Sequence, residues 1–281
     1  MNKRVMEMLI ILILSALPLS GAQALTMNLY DLKQHRVLTG EEAVRALAPA
    51  RIIIVGEHHD DPASHFAELT VIEVLEEAGR KPTIAMEMFR ADSQPELNQW
   101  LAGKISEAKF KPIYLDNWNF PWSLYAPIFL YARANHIPMI GLNVPGGITT
   151  QVALEGFDSL SKKQRGDLQG ITCNVSPEYR GFIRRAYKLH QHEGMDFERF
   201  CEAQLVWDTA MATNADAYAK QHPDRTVVIM AGSGHARKQG IPTQLKKLHA
   251  PPFVVILPQI EGEFDRKTLT TEEADFIFLF D

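Results

Sequence analysis

Glu57, His58, His59, Asp60 and Asp61 occupy five consecutive positions of the stretch Arg51 to Asp61, which reads RIIIVGEHHDD. Carboxylates there can take up a proton or hold a cation, and imidazoles can titrate near neutrality or ligate through a ring nitrogen. Asp61 has a structural task, because it precedes Pro62 where a helix N-cap is expected. Glu57, His58, His59 and Asp60 have no such task and read as the heart of a site. The run Arg51 to Val55 before them is β-branched, short and apolar, which predicts a strand buried on both faces. In an open α/β sheet the turn after such a strand lies at the carboxyl edge, where ligands bind.

Other strands aim further polar groups at the same edge. Thr83 to Met86 predicts a second strand ending at Glu87, and Ile137 to Leu142 a third ending at Asn143. Thr226 to Ala231 predicts a fourth, followed by Gly232-Ser233-Gly234-His235; Phe253 to Leu257 and Phe276 to Phe280 complete the set. Helices are predicted between them: a short one opened by Thr39-Gly40-Glu41-Glu42 in a capping-box-like pattern, Pro62 to Glu77 closing at Gly79, and Ser123 to Asn135. Leu25 to Arg36 reads as an arm, and the segment with Trp100, Tyr114, Trp118, Phe120 and Trp122 as an aromatic stretch. The expected fold is α/β, a mostly parallel sheet with helices on both faces. Residues 148–223 show no strand pattern and predict an inserted helical lid over the carboxyl edge.

Four strand ends thus converge, and the expected catalytic group is Glu57, His59, Glu87 and His235. Glu57, His59 and His235 could also hold a divalent metal. His65 falls on the inward face of its helix, one turn beyond the site loop. On the helix Phe197 to Lys220, Gln204 and Asp208 interrupt an apolar stripe, and buried polar groups need partners, which the cluster could supply. Each residue has a plainer reading: Asn143 as a turn cap, His235 as part of a Gly-rich turn, Gln204 and Asp208 as ties to backbone. Tyr125 could reach the sheet edge, where a phenolate can ligate ferric haem. No P-loop, G-x-G-x-x-G, G-x-S-x-G, C-x-x-C or HEXXH motif occurs.

The composition, 46% hydrophobic and 22% charged with net charge −5, suits a globular protein and gives no support to nucleic-acid binding or a polybasic membrane contact. Residues 1–24 have the form of a secretory signal peptide: Lys3 and Arg4, an apolar stretch from Met8 to Leu19, and Ala22-Gln23-Ala24 as cleavage site. Glu7 and Pro18 leave the run short of the roughly 20 residues that span a bilayer. Export to the periplasm is expected, with a mature chain from near Leu25 through residue 281. With no lipobox cysteine at the cleavage site, lipid anchoring there is not expected. Cys173 and Cys201 are the only cysteines and could pair in an oxidising compartment.

The blocks GEHHDDPASHF, AMEMF, WSLYAPIFLYARANHIPMIGLNVPGG, AQLVWDTAMA and AGSGHARKQGIP resemble the ChaN-like family of haem-binding uptake proteins, within the Tiki superfamily. The resemblance implies an exported bacterial protein of iron-regulated type, with haem held at a homodimer contact and an outer-membrane uptake system as a further partner. It carries the family's G-E-x-H-D pattern onto Gly56, Glu57, His59 and Asp60, and its next histidine onto His65. Glu87, then Gly232, Gly234, His235, Gly240 and Pro242, match the remaining blocks. The resemblance implies a tyrosine ligand to haem iron, for which Tyr125 is the candidate, and His65, Asn143, Gln204 and Asp208 join it as cofactor-binding candidates. Superfamily relatives, the erythromycin esterases and Tiki metalloproteases, resemble this chain in the Glu/His loop and use it for hydrolysis. A hydrolase in which Glu57 or Glu87 activates water therefore stands as the alternative, and a structural, chaperone-like domain as a third reading.

Overall fold

The computed structural model describes residues 26–166, 168, 170–189 and 196–280. The signal-peptide reading of residues 1–24 lies outside the described residues. The first half of the chain forms β1 (Asn28–Asp31), β2 (Arg36–Thr39), α1 (Glu41–Leu47), β3 (Ile52–Glu57), α2 (Pro62–Glu77), β4 (Pro82–Arg90), α3 (Gln94–Leu101), α4 (Glu107–Asn117) and α5 (Trp122–Ala134). After these come β5 (Met139–Asn143), α6 (Ile148–Glu155), α7 (Lys162–Arg165), α8 (Pro177–Leu189), α9 (Phe197–Gln221), β6 (Thr226–Gly232), α10 (Ser233–Ala236), α11 (Ile241–Lys247), β7 (Phe253–Pro258) and β8 (Phe276–Leu279).

The eight strands form one sheet in the order β2-β1-β8-β7-β3-β6-β4-β5. From β8 to β5 all neighbours are parallel, while β1 runs antiparallel to both β2 and β8. The arm expected at Leu25 to Arg36 is therefore this edge pair, whose four-residue strands are too short to show a clear period. The aromatic stretch likewise contains α3 and α4, with Trp100 and Tyr114 wholly buried. The capping box expected at Thr39 does not form, because Thr39 ends β2 and Gly40 is the N-cap at φ 49° with no side-chain bond.

Side chains alternate between the sheet's faces with period two. Ile53 and Val55 join one core with residues of α2 and α5, whereas Ile52 and Ile54 join another with Met211 and Ala215 of α9. All six residues of β3 are buried, so the helices cover both faces as expected of a parallel sheet. Each such aliphatic side chain contributes roughly 1.5–3 kcal/mol on burial, which holds β3 at the centre.

Residues 148–223 carry α6 to α9. A third core, with Val152, Ile183, Phe200 and Val206, joins α6, α8 and the first half of α9 over the carboxyl edge. The second half of α9 packs on the sheet face and leads into β6. Cys173 and Cys201 are bonded across this layer, with Cα atoms 5.5 Å apart. Closing a loop of 28 residues' separation restricts the unfolded chain by roughly 3–4 kcal/mol. Dithiothreitol is accordingly expected to lower stability by about that amount, read as a shift in the urea midpoint; an unchanged midpoint would contradict it.

Candidate functional site

Because β6 lies between β3 and β4, the strand ends stand side by side in the order β3, β6, β4, β5. Glu57 ends β3 in register with Gly232, and His59 follows in the turn to α2. Asp61 caps α2 as expected, accepting from the backbone N–H groups of Ala63 and Ser64 at 3.1 Å each. The polar groups brought together here form two tiers.

The inner tier lies on the α2 and α5 side. Glu57 shares the parity of Ile53 and Val55, so its carboxylate turns under the helices and is 1% exposed. It accepts the Tyr125 hydroxyl at 3.0 and 2.9 Å and His59 Nδ1, and it pairs with His65 Nδ1 at 3.1 Å. Glu68, one turn along α2 and fully buried, also reaches His65 Nδ1, at 3.2 Å. Burial, then the charge of Glu57, pushes the Glu68 carboxyl up to about 8. Burial opposes charge on His65, but Glu68 and Glu57 outweigh it and raise its pKa.

The outer tier lines a cavity of about 610 Å³ at the carboxyl edge, beneath α6, α8 and α9. Glu87, His59 and His235 supply its charge, and Trp118, Phe120, Phe200 and Trp207 supply aromatic walls. The Trp118 ring stands edge-on to His59 at 4.8 Å between centroids, and Trp207 similarly to His235 at 5.8 Å. Glu87 has the opposite parity to Glu57 and accepts the Gly232 N–H at 2.8 Å. His235 Nε2 lies 3.8 Å from Glu87 Oε1, and its Nδ1 bonds Asp208 Oδ1 at 2.7 Å. Tyr179 of α8 donates to the second oxygen of Asp208. Each imidazole therefore has Nδ1 held by a buried carboxylate, which orients the ring and leaves Nε2 for a ligand. Burial disfavours the charged form of both rings. Around His235, Glu87 and Asp208 prevail and bring the pKa to about 9; around His59, the Glu57 bond and Glu87 raise it.

Of the expected catalytic group, His59, Glu87 and His235 converge on one cavity, and Glu57 stands behind His59 instead of lining it. A metal shared by Glu57, His59 and His235 is not what this arrangement offers, because Glu57 meets His59 only from behind, at Nδ1, and is shut away from the cavity that His235 lines. Gln204 and Asn143 line the cavity. Asn143 is also committed to backbone, donating to the Glu87 carbonyl at 2.9 Å and accepting the Val144 N–H at 2.8 Å, so it clamps two strand ends. Asp208 finds its partner in His235, as a polar residue on an apolar stripe must. His65 belongs to the inner tier. Tyr125 is corrected outright: its hydroxyl is fully buried, spent on Glu57, and its pKa is raised by burial and by the Glu57 charge. It cannot present a phenolate to the cavity. Asp60 is exposed, and His58 turns to Glu263, 3.4 Å away. Glu68, Tyr179 and Trp207 were not singled out from sequence for these contacts; Glu68 was readable as the residue one turn beyond His65.

Glycines shape the rim. A Cβ at Gly232 would meet His59 Cε1 at 2.7 Å, so the imidazole packs directly against bare backbone. A Cβ at Gly240 would collide with the His235 carbonyl oxygen and lie 2.9 Å from its carbon. Backbone cannot swing aside as a side-chain tip can. Gly240→Ala is thus expected to cost about 1–3 kcal/mol and to displace His235, checked by urea denaturation beside the chemical shifts of the His235 ring.

The chain is 25% identical over 287 residues to protein RETICULATA-RELATED 5, chloroplastic, of Arabidopsis thaliana, covering 91% of this chain and 38% of that protein. It thus spans well under half of that relative's length. The structure of ChaN of Campylobacter jejuni, which binds haem cofacially, superposes with a TM-score of 0.70 at 18% identity, covering 91% of this chain and 97% of that one. Likeness at that identity shows a shared fold. The erythromycin esterase EreC in its open conformation gives a TM-score of 0.48 at 13% identity, over 85% of this chain and 78% of that one. The family described as haem-binding uptake, Tiki superfamily, ChaN, matches residues 43–245. The chain, matched from α1 through all of residues 148–223 and into α11, belongs to the ChaN family of haem-binding uptake proteins.

Proposed function

We propose that this chain binds haem in the cavity at the carboxyl edge, with His59 and His235 as the residues that hold the iron. One observation carries the reading: two imidazoles, each with Nδ1 held by a buried carboxylate, line one aromatic-walled cavity. Neutral imidazole ligates haem iron, and a carboxylate on the far nitrogen raises its basicity. Trp118, Phe120, Phe200 and Trp207 suit a flat apolar macrocycle. Haem, when bound, supplies the redox-active iron; the chain's own part is to orient the imidazoles and exclude water. The family membership and the Campylobacter protein's haem support the same ligand.

A role in haem uptake outside the cytoplasm, as a homodimer around the ligand and in contact with an outer-membrane system, belongs to the same proposal. The Cys173–Cys201 bond supports an oxidising compartment. The hydrolase alternative is not favoured: the family match points to haem, and of its two candidate bases Glu57 is shut away from the cavity, leaving only Glu87 on the lining. Titrating haem-free protein with haemin is expected to produce a Soret shift without a tyrosinate charge-transfer band, and size exclusion to show a doubled mass on loading. No Soret shift, or an identical spectrum in the His59→Ala, His235→Ala double variant, would sink the assignment.

A further inference from the structure

The haem reading uses Glu57 only as the partner of His59 and gives His65 and Glu68 no part. Glu57, His65 and Glu68 offer three ligand atoms that all lie within 4.8 Å of one another, in a group at most 5% exposed at any member. His65 Nε2 lies 3.2 Å from the His59 backbone carbonyl. A carbonyl only accepts, so Nε2 carries the hydrogen. Nδ1 then faces Glu57 at 3.1 Å and Glu68 at 3.2 Å.

No distribution of protons satisfies every atom of this group. If His65 is an imidazolium, its one Nδ1–H serves two carboxylates, and Glu68 Oε1, buried with no hydrogen-bond partner, stays unmatched. If Glu68 instead donates to Nδ1, the ring's remaining contact is a lone pair against the Glu57 carboxylate. A dication answers all of it. It neutralises both carboxylates at once, takes the Nδ1 lone pair, and accepts Glu68 through one or both oxygens. Four-coordinate ligands about 2.1 Å from a metal lie roughly 3.4 Å from each other, close to the spacing around Nδ1. The Nε2–H bond to a carbonyl and the Tyr125 hydroxyl on Glu57 are the supports that metal-binding imidazoles and carboxylates receive.

We propose that Glu57, His65 and Glu68 form a divalent-cation site behind the haem cavity, of the one-imidazole, two-carboxylate kind that takes Zn²⁺ or Mn²⁺. The ion would sit on the carboxylate that holds His59, tying the inner tier to the cavity through Glu57.

The test uses the full-length protein, freed of haem and treated with a chelator. Zn²⁺ is followed by calorimetry and Mn²⁺ by electron paramagnetic resonance. One equivalent is expected to bind and to raise the melting temperature. Glu68→Gln is expected to weaken binding by at least tenfold while keeping the haemin Soret shift, and His235→Ala to keep Zn²⁺ binding. If circular dichroism shows Glu68→Gln unfolded, His65→Gln carries the same expectation. The site is overturned if the chelated protein takes up neither ion, or if binding is lost in His235→Ala and retained in Glu68→Gln. A melting temperature that responds to pH but to neither cation would mean that protons alone fill the group. Because haemin is measured separately, failure here leaves the haem assignment to its own experiment.

Discussion

Replacing Glu57 with alanine is expected to lower stability by about 3–5 kcal/mol, the cost of removing one member of a buried charged network. The carboxylate is 1% exposed and receives Tyr125, His59 and His65. Without it the Tyr125 hydroxyl, fully buried, has no acceptor among these contacts, and an unsatisfied buried donor is expensive. His65 and Glu68 lose the group that spaces them, and His59 loses the anchor for its ring. For a domain of this size the melting temperature should fall by roughly 10 °C. Glu57→Gln keeps the shape and one acceptor oxygen, so it should lose less. Urea denaturation of the two variants settles the matter: a loss under about 1 kcal/mol for Glu57→Ala would show that the inner tier does not hold the sheet end together.

Haemin affinity is expected to climb with pH from neutrality to about 9 and then level off. His235 is the cause. Burial disfavours its charge, yet Glu87 and Asp208 outweigh burial and set its pKa at about 9. If iron takes the neutral Nε2 lone pair as proposed, each haem bound at His235 below that pH would displace a proton, up to about tenfold in affinity per pH unit. His59, also raised, adds to the slope. The fold responds in the opposite sense. A pKa raised above the unfolded value contributes stability that is complete below about pH 6.5 and is lost as pH rises through about 9. Asp208→Asn removes the negative charge behind the ring, so affinity on the plateau should drop about 10–100-fold, while the plateau itself should begin at lower pH. Soret titrations across the range measure both effects. A flat profile between neutrality and pH 9 would show that His235 is not a ligand.

Much of this protein was legible in its residues. The β-branched run before Gly56, the Asp61-Pro62 helix start and the apolar strands at Thr226 and Phe253 follow from local preference, and each appears at nearly the expected place. The chemistry at the strand ends was also readable, because Glu57 and Glu87 close apolar strand patterns and His59 and His235 follow such strands within a few residues. Asp208 stood out for the same reason. What local sequence lacks is the order of strands. That β6 inserts between β3 and β4 is set by how the helices cover the two faces, and it alone puts the Gly232 end of β6, with His235 just after it, between the ends of β3 and β4. Parity then divides the two glutamates, one turned under α2 and α5 and the other into the cavity. A strand's period is visible in its residues, but the helix waiting on each face is not. Tyr125 shows the same limit: local sequence predicts its helix, and the buried carboxylate that takes its hydroxyl comes from a strand 68 residues away. Residue types determined which chemistry is present, and the packing of helices on two faces of one sheet decided which groups meet.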